Sequence, residues 1–186
     1  LSRPHGRYTH AKARSTGNLW LRHAKQWRRF DLAASAGISL TPYGTSALWS
    51  LSGGYTPAAG LHLGIGAFQS MRLPTFTDLY YTSPAQINNL DLTPESAVTY
   101  LFDTGYMKNS WRLSLQTYYR AGRDIIDWVW REDMGDKWHS EQTSRLDTYG
   151  IELSGGYTVA DGFLRRVTLS YGYITTCLLY TSPSPR

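Results

Sequence analysis

A single cysteine, Cys177, stands among the 186 residues, so the chain holds no internal disulfide framework and no cysteine metal cluster. Long hydrophobic runs are missing too. No stretch approaches the roughly 20 consecutive apolar residues that a membrane-crossing helix needs. Helical periodicity is nearly absent, which argues against a bundle. No Gly-x-Ser-x-Gly, no His-Glu-x-x-His and no phosphate loop with a lysine is present, so no catalytic role is expected. His5, His10, His23, His62 and His139 lack metal-ligand spacing, and neither a metal nor a cofactor is expected. The net charge of +5 is gathered in the first 29 positions and otherwise interspersed with carboxylates, which argues against nucleic acid. No charged-then-apolar leader follows Leu1, so a mature or truncated product is expected.

What is present is aromatic and alternating. Tyr (14) and Trp (7) together far outnumber Phe (5), and both favour boundaries where one end of the ring is apolar and the other wet. Ala47, Trp49, Leu51 and Tyr55 share one face of a strand, with Ser46, Ser50, Ser52 and Gly54 on the other. The pattern recurs at Leu61, Leu63 and Ile65, and at Val98, Tyr100, Phe102 and Tyr106. It recurs again at Trp111, Leu113, Leu115 and Tyr119, at Tyr149, Ile151, Leu153 and Tyr157, and at Phe163, Val167, Leu169, Tyr171 and Tyr173. An earlier strand spans about Phe30 to Leu40, and a weaker one covers residues 17–24. This period of two predicts roughly eight strands.

The strands run to about 10–13 residues, whereas globular strands usually have about 5 or 6 and tilted membrane strands about 9–11. Short turns are expected near Gln26 and at 57–60, 107–110 and 158–162. Longer loops are expected at 73–94 and 131–139, with 41–45 a brief exception. Short turns on one side and long loops on the other suit an outer-membrane barrel. Gly54-Tyr55, Gly105-Tyr106 and Gly156-Tyr157 each precede a short turn, 51 residues apart both times. Tyr55, Tyr106 and Tyr157 are expected at one membrane interface; ordinary cross-strand packing in a soluble sheet is the alternative. The fold class is therefore all-β, a partial antiparallel up-and-down transmembrane barrel.

Three elements carry a family likeness. Met71-Arg72-Leu73-Pro74-Thr75-Phe76-Thr77-Asp78-Leu79-Tyr80-Tyr81 resembles the element with which TonB-dependent receptors open an outer loop. Asn89-Leu90-Asp91-Leu92-Thr93-Pro94-Glu95 resembles the start of their next strand, and Thr148-Tyr149-Gly150-Ile151-Glu152-Leu153 a later descending strand. The likeness covers roughly residues 17–175 and is closest to Bacteroidetes-type members, some of them cobalamin-receptor-like. It implies about eight strands of a 22-stranded barrel with a plugged lumen. It implies a receptor in the outer membrane of a Gram-negative bacterium, importing a scarce nutrient such as a siderophore, cobalamin or glycan. Its partners would be outer-membrane lipid, the small-molecule nutrient, and the TonB complex through a plug domain that nothing here resembles. A passive porin-like or structural barrel is the alternative, and a soluble β-sandwich a third.

Residues 1–175 form the expected barrel segment. Thr176 to Arg186 resembles translated sequencing-adapter read-through and is expected to be non-native; Pro183 and Pro185 suit no paired strand, and the family's terminal aromatic is absent.

Arg72 and Glu95 fall on inward parity at neighbouring strand ends and are expected to pair across the feet of the 73–94 loop, wet and of little energetic weight. Arg72, Asp78, Tyr80, Tyr81, Asn88 and Trp138 are the candidate substrate-binding residues, with shaping of the rim alone as the alternative. Trp128 and Trp130 share one parity and are read as an upper aromatic girdle, with ligand contact as the alternative. Asp124/Asp127 and Glu132/Asp133/Asp136 are read as solvated loop carboxylates rather than a calcium site.

Overall fold

The computed structural model describes residues 12–132, 135–159 and 165–179. Long antiparallel strands dominate: β1 (Gly17–Trp27), β2 (Phe30–Thr41), β3 (Gly44–Ala58) and β4 (Leu61–Arg72). A loop then carries the short helix α1 (Phe76–Tyr80) and a two-residue strand β5 (Gln86–Ile87). The meander resumes with β6 (Glu95–Lys108), β7 (Trp111–Arg131), β8 (Lys137–Thr158) and β9 (Arg166–Leu179). Each long strand pairs with its sequence neighbour, so one sheet runs from β1 to β9. The eight expected strands are all there, and β5 is an addition.

Register follows the alternation. Tyr100 opposes Tyr119, which opposes Tyr149, while one step along Leu101, Tyr118 and Gly150 align on the other face. A slip of one residue would send every apolar side chain to the wrong face. Glycine reinforces the register: the Tyr118 ring lies where a Cβ on Gly150 would stand, and the Trp20 ring does the same at Gly37.

The apolar face is uncovered. Tyr100 is 53% exposed, Leu113 43% and Leu153 50%. Among the described residues no second layer lies on it, which removes the β-sandwich alternative. The opposite face is polar, with a trough of about 540 Å³ lined by His62, Asp103, Gln116 and Glu152. Among the described residues no helix is long and apolar enough to cross a membrane.

Two differences from expectation concern the long-loop end. In place of a loop at 131–139, β7 and β8 are 21 and 22 residues long and leave only 132–136 between them, with Gly135 at φ +88° and Asp136 at φ +60°. Cross-strand pairs of β-branched and aromatic residues, such as Val129 with His139 and Trp130 with Trp138, extend the ladder there. The 73–94 segment is also far from featureless, as its helix and strand show. At the chain's other end β9 runs past Thr175 to Leu179. Backbone pairing asks little of side-chain identity, so this continuation does not bear on whether residues 176–186 are native. Residues 180–186, Asp133 and Phe163 lie outside the described residues.

Gly150→Val is expected to drive Tyr118 from its seat and to cost about 1–3 kcal/mol as overpacking. A lowered urea midpoint of the vesicle-inserted protein would register it. In a Tyr118→Ala background the same substitution should cost clearly less, because the two residues share one space.

Candidate functional site

The 73–94 loop is built from local signals. Pro74 ends β4, and Thr75 caps α1: its hydroxyl accepts the Asp78 N–H at 3.1 Å, and Asp78 Oδ2 accepts the Thr75 N–H at 2.8 Å. This reciprocal box satisfies two of the donors that a helix start leaves open, a contribution of about 1 kcal/mol. The helix turns Leu79 inward. Leu79 and Leu92 bury against Ile126 of β7, with Tyr80 packed partly onto the cluster. Asn88 ties the loop to itself, its Nδ2 donating to the Leu79 carbonyl at 2.6 Å while its Oδ1 accepts from Thr82 Oγ1. The loop then reaches the tip of the long hairpin. There β5 pairs in parallel with Trp138 and His139, and the Trp138 N–H donates to the Ala85 carbonyl at 3.0 Å.

At the loop's feet Arg72 and Glu95 are cross-strand partners. Arg72 Nε donates to Glu95 Oε2 at 2.7 Å and Nη2 donates to Oε1, a forked pair. The Ile126 N–H adds a third donor to Glu95 at 2.7 Å. The pair is less wet than expected: the Glu95 side chain is 5% exposed against 46% for Arg72. The carboxylate's three donors compensate that burial. Arg72 lies 3.7 Å from Asp78 as well, so the helix cap and the rim pair form one charged node. Hydrogen bonding to Glu95 holds the guanidinium above its ordinary value, and it stays charged at any accessible pH. A second tie lies beside it. Gln142 of β8 donates to the carbonyls of Thr93 and Asp124 and accepts from the Thr93 N–H and hydroxyl.

Arg72, Asp78 and Asn88 thus spend their polar capacity fastening the loop. Tyr80 lies under the Lys12 ammonium and 6.1 Å from the Phe76 ring, and Arg14 donates to the Pro74 carbonyl. Tyr81 closes the helix. Trp130 and Trp138 meet edge-on at 5.6 Å near the hairpin tip, with Trp128 two residues below. Trp111 opposes Tyr157 at the short-turn end, rings 4.8 Å apart, and Phe30 stacks on Tyr55 at 4.7 Å along the same end. Tyr106 opposes Leu61 and Leu113 between them. A further row of Tyr100, Tyr119 and Tyr149 stacks at 6.2 and 4.8 Å midway up the sheet.

Among the described residues no three acidic, histidine or cysteine groups converge as a metal site. Asp127 Oδ1 accepts the Trp128 N–H instead. The sequence reading missed the capping box, although Thr75-x-x-Asp78 spells it. It also missed Gln142 and the Leu79–Leu92–Ile126 cluster, whose members are far apart in the chain and carry no local signal.

A family model described as TonB dependent receptor-like, beta-barrel matches residues 4–184. The vitamin B12 transporter BtuB of Photobacterium profundum is 27% identical over 135 residues, covering 71% of this chain and 21% of the relative. Among solved structures, the siderophore receptor PirA from Pseudomonas aeruginosa superposes with a TM-score of 0.72 at 13% identity, over 87% of this chain and 32% of that one. The copper transporter OprC gives 0.66 at 16% identity, over 86% of this chain and 28% of that one. Identities this low speak for the fold alone, and the chain spans about a fifth of the curated relative and about a third or less of those solved chains. The matched model, the period-two sheet with its uncovered apolar face and the capped rim loop agree: this chain belongs to the TonB-dependent receptor-like β-barrel family.

Proposed function

We propose that the chain is a barrel segment of an outer-membrane receptor that imports a scarce nutrient, with a siderophore, cobalamin or glycan as the substrate classes. The observation that carries this is the apolar face bounded by two aromatic rows. From Trp111 to Tyr119 is eight residues of β7, about 26 Å of strand and, at a tilt near 40°, about 20 Å of height. That approaches the apolar band of about 25 Å in such barrels. Tyr55, Tyr106 and Tyr157 then lie at the inner interface, and Tyr100, Tyr119 and Tyr149 at the outer one. Trp128 and Trp130 stand 17 and 19 residues beyond Trp111, more than about 40 Å up by the same arithmetic. On this placement they leave the girdle to the tyrosines and belong to the extracellular tip.

The tip suits ligand capture because it is held in advance. A loop fastened at both feet and stitched to the hairpin loses little freedom when a ligand arrives. Trp130, Trp138, Tyr80 and Tyr81 offer rings to an amphipathic or ring-bearing nutrient, and release inward would require TonB acting on a plug in the lumen.

Three outcomes are expected. The native full-length protein should fractionate with the outer membrane, and its recovery from the periplasm or cytosol would end this reading. Trp130→Ala/Trp138→Ala should weaken binding of whichever of cyanocobalamin, ferric siderophore or oligosaccharide the receptor takes up by about tenfold or more, consistent with about 0.5–1.5 kcal/mol per aromatic contact. Equal titrations of the wild type and the variant would remove the tip from the binding site. Glu95→Ala should cost about 1–3 kcal/mol locally by orphaning the Ile126 N–H and both donors of the Arg72 fork. Faster hydrogen exchange confined to residues 73–95 and 122–128 is the expected readout.

A further inference from the structure

Just above the outer tyrosine row the apolar face acquires charge. Arg145 donates from Nε and Nη2 to the two oxygens of Asp147, each at 2.9 Å, and from Nη2 to the Tyr119 hydroxyl at 3.3 Å. Arg123 is the direct cross-strand partner of Arg145, so both side chains leave from the same face. Like charges placed directly opposite destabilise a sheet unless something neutralises them. Asp147 answers one of the two. Among the described residues no ion pair or hydrogen bond holds Arg123. Asp124 follows Arg123 at a left-handed kink of φ +55° and, among the described residues, forms no ion pair with it. The carboxylates beyond it, Asp127 and Glu141, oppose each other four residues away, about 13 Å along the strands. Arg123 is left without an ion-pair partner at this level.

Directly below lies an open cleft of about 530 Å³, walled by Tyr100, Phe102, Tyr119, Tyr149, Ile151 and Tyr173. Tyr119 belongs to both features: its ring walls the cleft and its hydroxyl meets Arg145. Cations above an apolar cleft, on a face turned toward the bilayer, match the two ends of an amphiphile. We infer that Arg123 and Arg145 bind the phosphate of an anionic membrane lipid whose acyl chain lies in the tyrosine cleft. Free phosphate would use only the upper half of this arrangement, so the cleft selects a lipid. The inference rests on the outer-membrane placement proposed above.

The test uses the full-length receptor purified in detergent, equilibrated with phosphatidylglycerol or phosphatidylcholine and examined by native mass spectrometry. Phosphatidylglycerol should be retained at least about tenfold more than phosphatidylcholine, and millimolar inorganic phosphate should not displace it. Arg123→Gln/Arg145→Gln should abolish the preference, whereas Arg123→Lys/Arg145→Lys should keep most of it. Tyr149→Ala should weaken retention of both lipids. Equal retention of the two lipids by a protein that inserts normally into vesicles overturns the lipid site alone, as does full displacement by inorganic phosphate. Failure of the wild-type protein to insert overturns the membrane placement and the site with it.

Discussion

In hydrocarbon a backbone N–H or carbonyl has no solvent partner, so a strand can cross a membrane only if its neighbours satisfy every one. That constraint explains the plain architecture of this chain. Each long strand pairs with the next in sequence, four of the connections being two residues long, at 28–29, 42–43, 59–60 and 109–110. Once the ladder is complete, side chains alternate between two environments and nothing else is needed to make one face apolar. The scarcity of a buried core follows directly: among the described residues only a handful of apolar side chains are buried, and two of them, Leu79 and Leu92, belong to the loop and pack on Ile126 of β7. On the outer-membrane placement proposed above, lipid takes the place that a second layer would fill in a soluble protein.

Where the strands leave the apolar band the physics changes. The rim loop cannot rely on lipid to bury its side chains, so it builds a small core and a charged node of its own. Glu95 is the hinge between the two regimes. It sits at the first residue of β6, opposite the last of β4, and draws a donor from β7 as well. Removing the carboxylate from water is costly, and only the forked arginine and the backbone N–H make it tolerable. The same residue therefore ties three strands to one loop.

Much of this was readable from residues alone. Strand positions, short-turn positions and face assignments followed from alternation, because a period of two is a direct imprint of the pleat. The Arg72–Glu95 pairing followed from parity and from their places at the outer ends of neighbouring strands. The extent of β7 and β8 did not: Arg131, Lys137, Trp138 and His139 read as loop because charged and aromatic residues crowd together there without a clear alternation, yet they complete the ladder. Burial of Glu95 was equally invisible, since one of its donors is the Ile126 N–H, 31 residues further along the chain. Likewise, spacing Trp128 and Trp130 against the tyrosines required the continuous strand on which both lie.

The tip of the β7–β8 hairpin also dictates an order of assembly. Its two strands are joined by a five-residue connection and can zip with little loop-closure entropy, whereas the 73–94 segment finds its partners only on surfaces made later in the chain. Ile126, Gln142 and Trp138 must already be in place before Leu79, Thr93 and Ala85 have anything to meet. The rim therefore closes from its C-terminal side backward, and the capped helix is a late arrival on a finished hairpin.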